Sequence, residues 1–482
     1  MSSAVSLSAG GLELGIVGVG DSRRLRVLAA RATDLHGFEG VPGETAQGAV
    51  LEGPLSTRNA AAVRSSIPWL QPKPVGLTTS AGVGDRLGLA TPGHARAFRR
   101  FGSGIVPVFA QQSNREMERL EREPQSVMDD ATFGCLQAGW EGAVGADADH
   151  LKAIGEIDRC LAAGFTSFTL DPGEHVRDVQ GVVTDAQLLE LPWAELEDDP
   201  ASMARRYADL VVEVAGAPLP IPEEELRRAA AKYGAAIAYT VTMYRHLTTE
   251  AQYPIEVEVS VDETEEPTTL VEHVYMATEM KRLGMNWVSF APRYIGGFEK
   301  GVDYIGDTTL FFESLSGHAQ IAQALGPYKI SLHSGSDKFS IYELAASATG
   351  RLVHLKTSGT SYLTALEIAA RFEPSLFREI YDLSREAYRG ARASYQVSAQ
   401  LDRTPDSREV PDDRLGSLVT AADSRQILHV GYGAVLTLED SQGVRRISDS
   451  LRTALGSHVA EYEAALETHI GRHLAPFADT RA

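Results

Sequence analysis

Histidines, acids and lysines at the ends of short apolar runs are the residues of this 482-residue chain best suited to chemistry. In "YKISLHSGSDKFSIY", Ile330 and Leu332 alternate with Ser331 and His333, and Ser334, Gly335, Ser336, Asp337 and Lys338 follow without an apolar break. The alternation has the period of a β-strand with one apolar face. A strand is thus spent to bring an imidazole, a carboxyl and an ammonium to one place. A polar loop ends most strands, so the useful comparison is with the other apolar runs. "KPVGLTTSAGVGDRLG" supplies Asp85 and Arg86, "SGIVPVFAQQS" supplies Gln111 and Gln112, and "EGAVGADADHLK" supplies Asp147, Asp149 and His150. "GFTSFTLDPGEHV" ends in Asp171 and His175, "YPIEVEVSVDET" in Asp262 and Glu263, "MNWVSFAPRYIGG" in Arg293, and "RLVHLKTSGTS" in His354, Lys356 and Thr357.

His150, His333 and His354, with a carboxylate nearby, make up the ligand set of a Zn-, Mn- or Ni-type divalent cation. No local spacing such as His-Glu-x-x-His unites them, so the set exists only if the fold gathers the run ends. Each histidine taken singly is more often a packed core or loop residue. His175 is a fourth contender, and His354 sits deepest in its run. In "IEVEVSVDE", Glu256, Glu258, Ser260 and Asp262 share one face and Val257, Val259 and Val261 the other. The valines suit outer helices, which turns the carboxyls inward, where an unpaired charge is costly. Arg or Lys partners, a bound cation or a plain buried salt bridge would each relieve that cost. Glu258 is the better placed to reach a substrate, and Glu256 reads as structural.

Helical stretches such as "ATPGHARAFRRFG", "ADHLKAIGEIDRCLAAG" and "TTLVEHVYMATEMKRLG" separate the runs, several closing on a glycine that suits a helix C-terminus. Alternating strands and helices give a parallel sheet. Eight units favour an α/β fold closed as a (β/α)8 TIM-type barrel over a doubly wound open sheet, with functional groups at the C-terminal ends of the strands. The chain divides into an N-terminal segment 1–70 of unassigned fold, a catalytic barrel over 71–385 with a helical insertion at about 178–250 after strand four, and a helical C-terminal extension over 386–482. Gly18-Val19-Gly20-Asp21-Ser22-Arg23 approaches a dinucleotide fingerprint, but Arg23 stands where the third glycine would permit close helix packing. A plain strand–turn–helix is the expectation there.

With 43% hydrophobic and 23% charged residues the chain has a globular composition, and no apolar run reaches the length of a membrane span. "MSSAVSLSAGG" has no basic segment ahead of its apolar residues, so no secretory signal is read. Two cysteines, Cys135 and Cys160, are too few for a disulfide framework, and a cytoplasmic location is expected. The net charge of −20 opposes nucleic acid binding and repels small anions at long range. An anion site therefore needs local Arg or Lys. Self-association into a homo-oligomer stays open.

Together, "GVGDRLGLATPGH", "GADADHLK", "LDPGEHV", "EVSVDET", "APRYIGGFEKGVDYIGD", "HSGSDKFSIY" and "HLKTSGTSYL" resemble the tagaturonate/fructuronate epimerase family, over about Gly76 to Tyr362 and more weakly beyond. The resemblance implies a metal-dependent isomerase that interconverts D-tagaturonate and D-fructuronate, small ketouronates of hexuronate catabolism. The two differ at C4, which is β to the C2 ketone, so proton removal at C4 gives no carbanion that the ketone stabilises. Retro-aldol cleavage of C3–C4, rotation of the aldehyde and re-formation of the bond solve this, with a metal as Lewis acid and side chains moving the hydroxyl proton. On this reading Asp149 is the base, Glu258 the opposing acid and Asp171 the reserve base. His150, His333 and His354 are the metal ligands. Arg86, Lys338 or Lys356 hold the C6 carboxylate, with Gln112 among the substrate contacts. The alternatives are a transient hydride route with tightly bound NAD, a divalent-metal aldolase or ketose epimerase or isomerase acting on a related sugar or sugar acid, and a binding relative without turnover.

Overall fold

In the computed structural model, which describes residues 5–479, the strands between Ser6 and Gly53 form an antiparallel sheet. Its strands are β1 (Ser6–Ala9), β2 (Leu12–Val17), β3 (Arg24–Ala29), β4 (Val41–Thr45) and β5 (Gly48–Gly53), in the order β1-β2-β3-β5-β4. The glycine-rich stretch after β2 leads into a strand and not a helix: "RLRVLA" alternates in polarity and pairs antiparallel with β2. Gly18, at φ +82°, makes the turn. The two glycines therefore serve a hairpin.

Eight short parallel strands then close on themselves. They are β6 (Ser80–Gly82), β7 (Val106–Ser113), β8 (Gly145–Leu151), β9 (Ser167–Leu170), β12 (Glu256–Ser260), β13 (Ser289–Ala291), β14 (Lys329–Leu332) and β15 (Val353–Lys356). A small hairpin, β10 (Glu213–Val214) and β11 (Ala217–Pro218), interrupts the series after β9. Period-two alternation assigns the faces. Val257 and Val259, Ile330 and Leu332, and Val353 and Leu355 join the apolar layer under the helices. The opposite face carries Glu256, Glu258 and Ser260, Lys329 and Ser331, and His354 and Lys356, all buried. The interior of this barrel is thus filled by paired charges and hydroxyls, where most such barrels stack branched aliphatic side chains.

The insertion is shorter than the sequence reading has it. Two short helices, Asp185–Leu189 and Pro200–Ala208, and the β10–β11 hairpin stand apart from the barrel repeat. The 28-residue helix Glu223–Glu250 instead packs between the helices Ile154–Ala163 and Leu270–Arg282, in the place of the fourth barrel helix. Glu223, Glu224 and Glu225 suit the positive end of its dipole. The stretch "NREMERLEREPQSVMDD" also differs from one continuous helix. Asn114–Leu120 ends at Glu121 with φ +51°, and a second helix starts at Pro124, because the residue before a proline is kept out of helical geometry. No helix among the described residues is long and apolar enough to cross a membrane.

The C-terminal helices build a second apolar core on the barrel, from Tyr362, Leu366, Phe377, Ile380, Leu428, Tyr432 and Leu466. The helix Ala422–Thr437 reaches Asn114–Leu120 at the C-terminal end of β7, and so stands over the barrel mouth. The helix Val459–Leu474 lies along Thr91–Phe101, where Gly93 permits close approach: a Cβ there would stand 2.7 Å from the Cβ of Leu466. Leu466 is fully buried, so Leu466→Ala leaves a cavity that the facing backbone cannot fill. Denaturant unfolding of that variant should show a loss of about 2–5 kcal/mol.

Candidate active site

Two histidines meet at the mouth of the barrel. His150 lies in a bulge of β8, where the register against β9 shifts, and takes φ +53°, a conformation that costs a non-glycine residue energy. The irregularity turns its ring toward His333, the residue after β14. His150 Nδ1 lies 3.0 Å from Asp171 Oδ2, and His333 Nε2 lies 2.6 Å from Glu258 Oε1. An ionised carboxylate only accepts, so each of these ring nitrogens carries the hydrogen. The remaining nitrogens, Nε2 of His150 and Nδ1 of His333, face one another at 3.1 Å. Two neutral rings would set lone pair against lone pair there. Positive charge between them, as a proton or a metal cation, removes the conflict.

Carboxylates complete the cluster. Asp262 Oδ1 is 3.1 Å from His333 Nδ1 and 3.9 Å from His150 Nε2, and Ser260 Oγ donates to it at 2.6 Å. Asp149 Oδ1 is 3.8 Å from His150 Nε2, and donor atoms of Asp149, His150 and His333 all lie within 4.8 Å of one another. Burial disfavours the His150 imidazolium, but Asp149 and Asp262 outweigh it and push the pKa up to about 10. Burial and Lys356 both disfavour charge on His333, yet Asp262 and Glu258 raise it as well.

Beneath the histidines, Lys356 Nζ lies 2.6 Å from Asp149, 2.8 Å from Glu258 and 2.9 Å from Asp147, and donates to Thr169 Oγ1 at 2.6 Å. Burial alone would raise the Asp149 and Glu258 carboxyls. Lys356 first, then the histidines, hold both well below the usual range. Gln111 Nε2 donates to the other oxygen of Asp149 at 3.0 Å. Asp149, Asp171, Glu258 and Asp262 thus surround two imidazoles and one lysine that is shared with Asp147. This surplus of negative charge around two facing ring nitrogens fits a divalent cation.

Above the cluster opens a cavity of ≈ 250 Å³ whose walls include Asp262, Arg293, Lys300, His333 and Tyr395. A narrower recess continues from it to Asp149, His150 and Lys356. Glu258 lies outside both and lines a smaller space in the lower barrel with Ser80, Lys329 and His354.

The residues expected from sequence fall into two groups. Asp149, His150, Asp171, His333 and Lys356 come together, with Glu258 directly under His333. The others lie elsewhere. His354 is a layer deeper, 2.8 Å from Ser80 Oγ. Gln112 turns outward to Arg122, because a bulge in β7 between Val108 and Ala110 changes which residues face inward, leaving Gln111 inside. Arg86 gives its charge to Glu116 at 2.8 Å and lies over the Tyr432 ring, 3.6 Å from its centroid. Lys338 donates to the backbone carbonyls of Glu299, Val302 and Ser336, and burial lowers its pKa to about 8. His175 stacks on Tyr239 outside the cluster. Asp337 binds Arg425 at 2.8 Å and lies 3.2 Å from His469 Nε2, tying the β14 loop to the C-terminal helices. Sequence reasoning gave no role to Asp262, Gln111, Arg293, Lys300 or Tyr395. Asp262 and Arg293 carried a signal as strand-end residues, whereas Lys300 and Tyr395 lie in loops that only the fold brings to the mouth.

A family model described as tagaturonate epimerase matches residues 19–477. A relative from Thermotoga maritima, named tagaturonate/fructuronate epimerase, is 41% identical over 416 residues, 86% of this chain and 84% of its own. The native crystal structure of a fructuronate-tagaturonate epimerase from Cohnella laeviribosi is similar at a TM-score of 0.89 and 32% identity, covering 98% of this chain and 95% of that one. A glycerol complex of the same protein gives 0.88 at 32% identity, with the same coverage.

Replacing Lys356 with methionine would leave Asp147, Asp149 and Glu258 facing one another without their common cation. Urea unfolding of Lys356→Met should show a loss of about 3–5 kcal/mol, the cost of orphaned buried charge.

Proposed function

The chain belongs to the tagaturonate epimerase family and is an isomerase of the epimerase kind, and we propose that it interconverts D-tagaturonate and D-fructuronate by metal-dependent cleavage and re-formation of the C3–C4 bond. The observation that carries this reading is the pair of ring nitrogens turned on each other beside Asp262, with Asp149 and Lys356 at the base of the same recess.

His150 Nε2, His333 Nδ1 and Asp262 Oδ1 would hold the cation, with Asp171 and Glu258 fixing the two rings from behind. Two imidazoles and a carboxylate suit a Zn-, Mn- or Ni-type ion. When bound, the cation supplies Lewis-acid polarisation of the sugar's ketone and hydroxyl oxygens. Relative to the expectations from sequence, Asp262 takes the place of His354, Glu258 moves from acid to support of His333, and Asp171 moves from reserve base to support of His150.

Asp149 takes the proton of the C4 hydroxyl. Lys356 keeps that carboxyl ionised before substrate arrives, and Gln111 fixes its direction. As the C4–O bond gains carbonyl character, the electron pair of C3–C4 passes to C3, giving an enediolate over C2 and C3 and a three-carbon aldehyde that carries the carboxylate. Rotation of the aldehyde offers its opposite face, the pair returns to C4, and the proton held by Asp149 returns to the new alkoxide. The Lys356 ammonium stays beside Asp149, whose carboxyl gains the proton on cleavage and loses it on re-formation of the bond. The two free cysteines, Cys135 and Cys160, are buried and suit a reducing compartment, and we place the reaction in the cytoplasm with a free ketouronate as substrate.

Exhaustive chelation should abolish turnover of D-tagaturonate, and a divalent ion should restore it. In D2O the hydrogen at C4 should remain protium, since no C4–H bond breaks, and an aldehyde trap should collect a three-carbon aldehyde acid. Full turnover by metal-free protein, or deuterium at C4, contradicts the proposal.

A further inference from the structure

A ketouronate carries a full negative charge at C6, and a chain of net charge −20 must meet it with local cations. The cations that the sequence suggested are already engaged: Arg86 with Glu116, Lys338 with three backbone carbonyls, and Lys356 with three carboxylates. Arg115, at the cavity wall, is paired with Glu263.

Arg293 and Lys300 line the cavity with N–H donors to spare, whereas Lys338 spends all three of its donors on carbonyls. Arg293 Nε donates to the carbonyl of Thr264 at 3.2 Å, and Nη1 donates to those of Tyr294 at 3.1 Å and Gly296 at 3.3 Å. Backbone carbonyls fix the plane of the guanidinium without neutralising it, and its Nη2 has no acceptor among the described residues. Burial lowers its pKa against the opposing pull of Asp262 and Tyr304. Lys300 Nζ has a neutral partner, Ser334 Oγ, at 2.7 Å. Both side chains line the ≈ 250 Å³ cavity together with His333 and Asp262. Ser334 directly follows His333, so the residue that holds the Lys300 ammonium is the chain neighbour of one of the paired histidines.

We propose that Arg293 and Lys300 receive the C6 carboxylate and set the preference for a uronate over a neutral ketose. The inference rests on the ketouronate reading given above and adds a function to it. In the cleaved state the carboxylate belongs to the aldehyde half, so a clamp at C6 lets C4 turn about the C4–C5 bond while the fragment stays in the cavity. A planar guanidinium suits a carboxylate edge-on, and an ammonium can approach from a second direction.

The experiment measures KM for D-tagaturonate in the wild type, Arg293→Met and Lys300→Met, with D-tagatose as a competitive inhibitor of the same reaction. D-Tagatose keeps every group except the carboxylate. KM should rise about 30-fold in each variant, the loss expected for one charge-assisted contact. Ki for D-tagatose should stay within about threefold of the wild-type value. Arg293→Lys and Lys300→Arg should recover part of the affinity. An unchanged KM, or KM and Ki rising together, overturns the proposal. If Arg293→Met fails to fold, Lys300→Met carries the comparison, since a single side-chain hydrogen bond to Ser334 is lost there. A wild-type protein that does not turn over D-tagaturonate at all would instead defeat the epimerase reading, and that result is seen before any variant is made.

Discussion

One ammonium group with three carboxylates within 2.9 Å governs the inside of this barrel. Asp147, Asp149 and Glu258 come from two different strands, and Lys356 from a third. Their charges are affordable only together, because removing water from an ion costs several kcal/mol unless an opposite charge replaces it. The same requirement fixes how the strands lie. A one-residue slip of β12 would send Glu256 and Glu258 into the helical layer and the valines into the centre. The polar interior and the apolar outer layer are therefore one constraint seen from two sides.

The histidine pair depends on that base. Glu258 can hold His333 Nε2 because Lys356 keeps it ionised, and Asp171, just past β9, accepts from His150 Nδ1. Each outer carboxylate accepts from one ring nitrogen, which leaves the other two nitrogens facing one point. The site is thus built from below, by charge pairing, and closed from above by the C-terminal helices. The roof brings Tyr395 and His429 to the mouth and is itself anchored by Asp337 through Arg425 and His469. The opening motif of the β14 loop accordingly does two jobs: His333 faces the cavity, and Asp337 turns away to hold the lid in place.

Much of this was legible in the sequence, and the failures have physical reasons. The eight strands announced themselves through apolar runs ending in polar residues, and the inward carboxyls of β12 through strict alternation with valine. Alternation fails where a bulge intervenes, which exchanged Gln112 for Gln111 in β7 and hid how His150 is aimed. Depth along a strand was harder to judge: His354 and Lys356 share a face of β15, and only the stagger of neighbouring strands puts the lysine level with Asp149 and the histidine below it. The cations were hardest. Whether an arginine is engaged depends on partners far away in sequence, as with Arg86 and Glu116, so residue type alone could not single out Arg293 and Lys300. The glycine-rich turn after β2 misled toward a helix because its continuation, "RLRVLA", is too short for its alternation to stand out.

The central claim is that His150 and His333 share one cation while His354 does not. Cobalt titration followed by visible absorption tests it directly in the wild type and in His150→Ala, His333→Ala and His354→Ala. One equivalent should bind in the wild type and in His354→Ala, and the ligand-field spectrum should be lost in the other two. An unchanged spectrum in both His150→Ala and His333→Ala, or its loss only in His354→Ala, would contradict it.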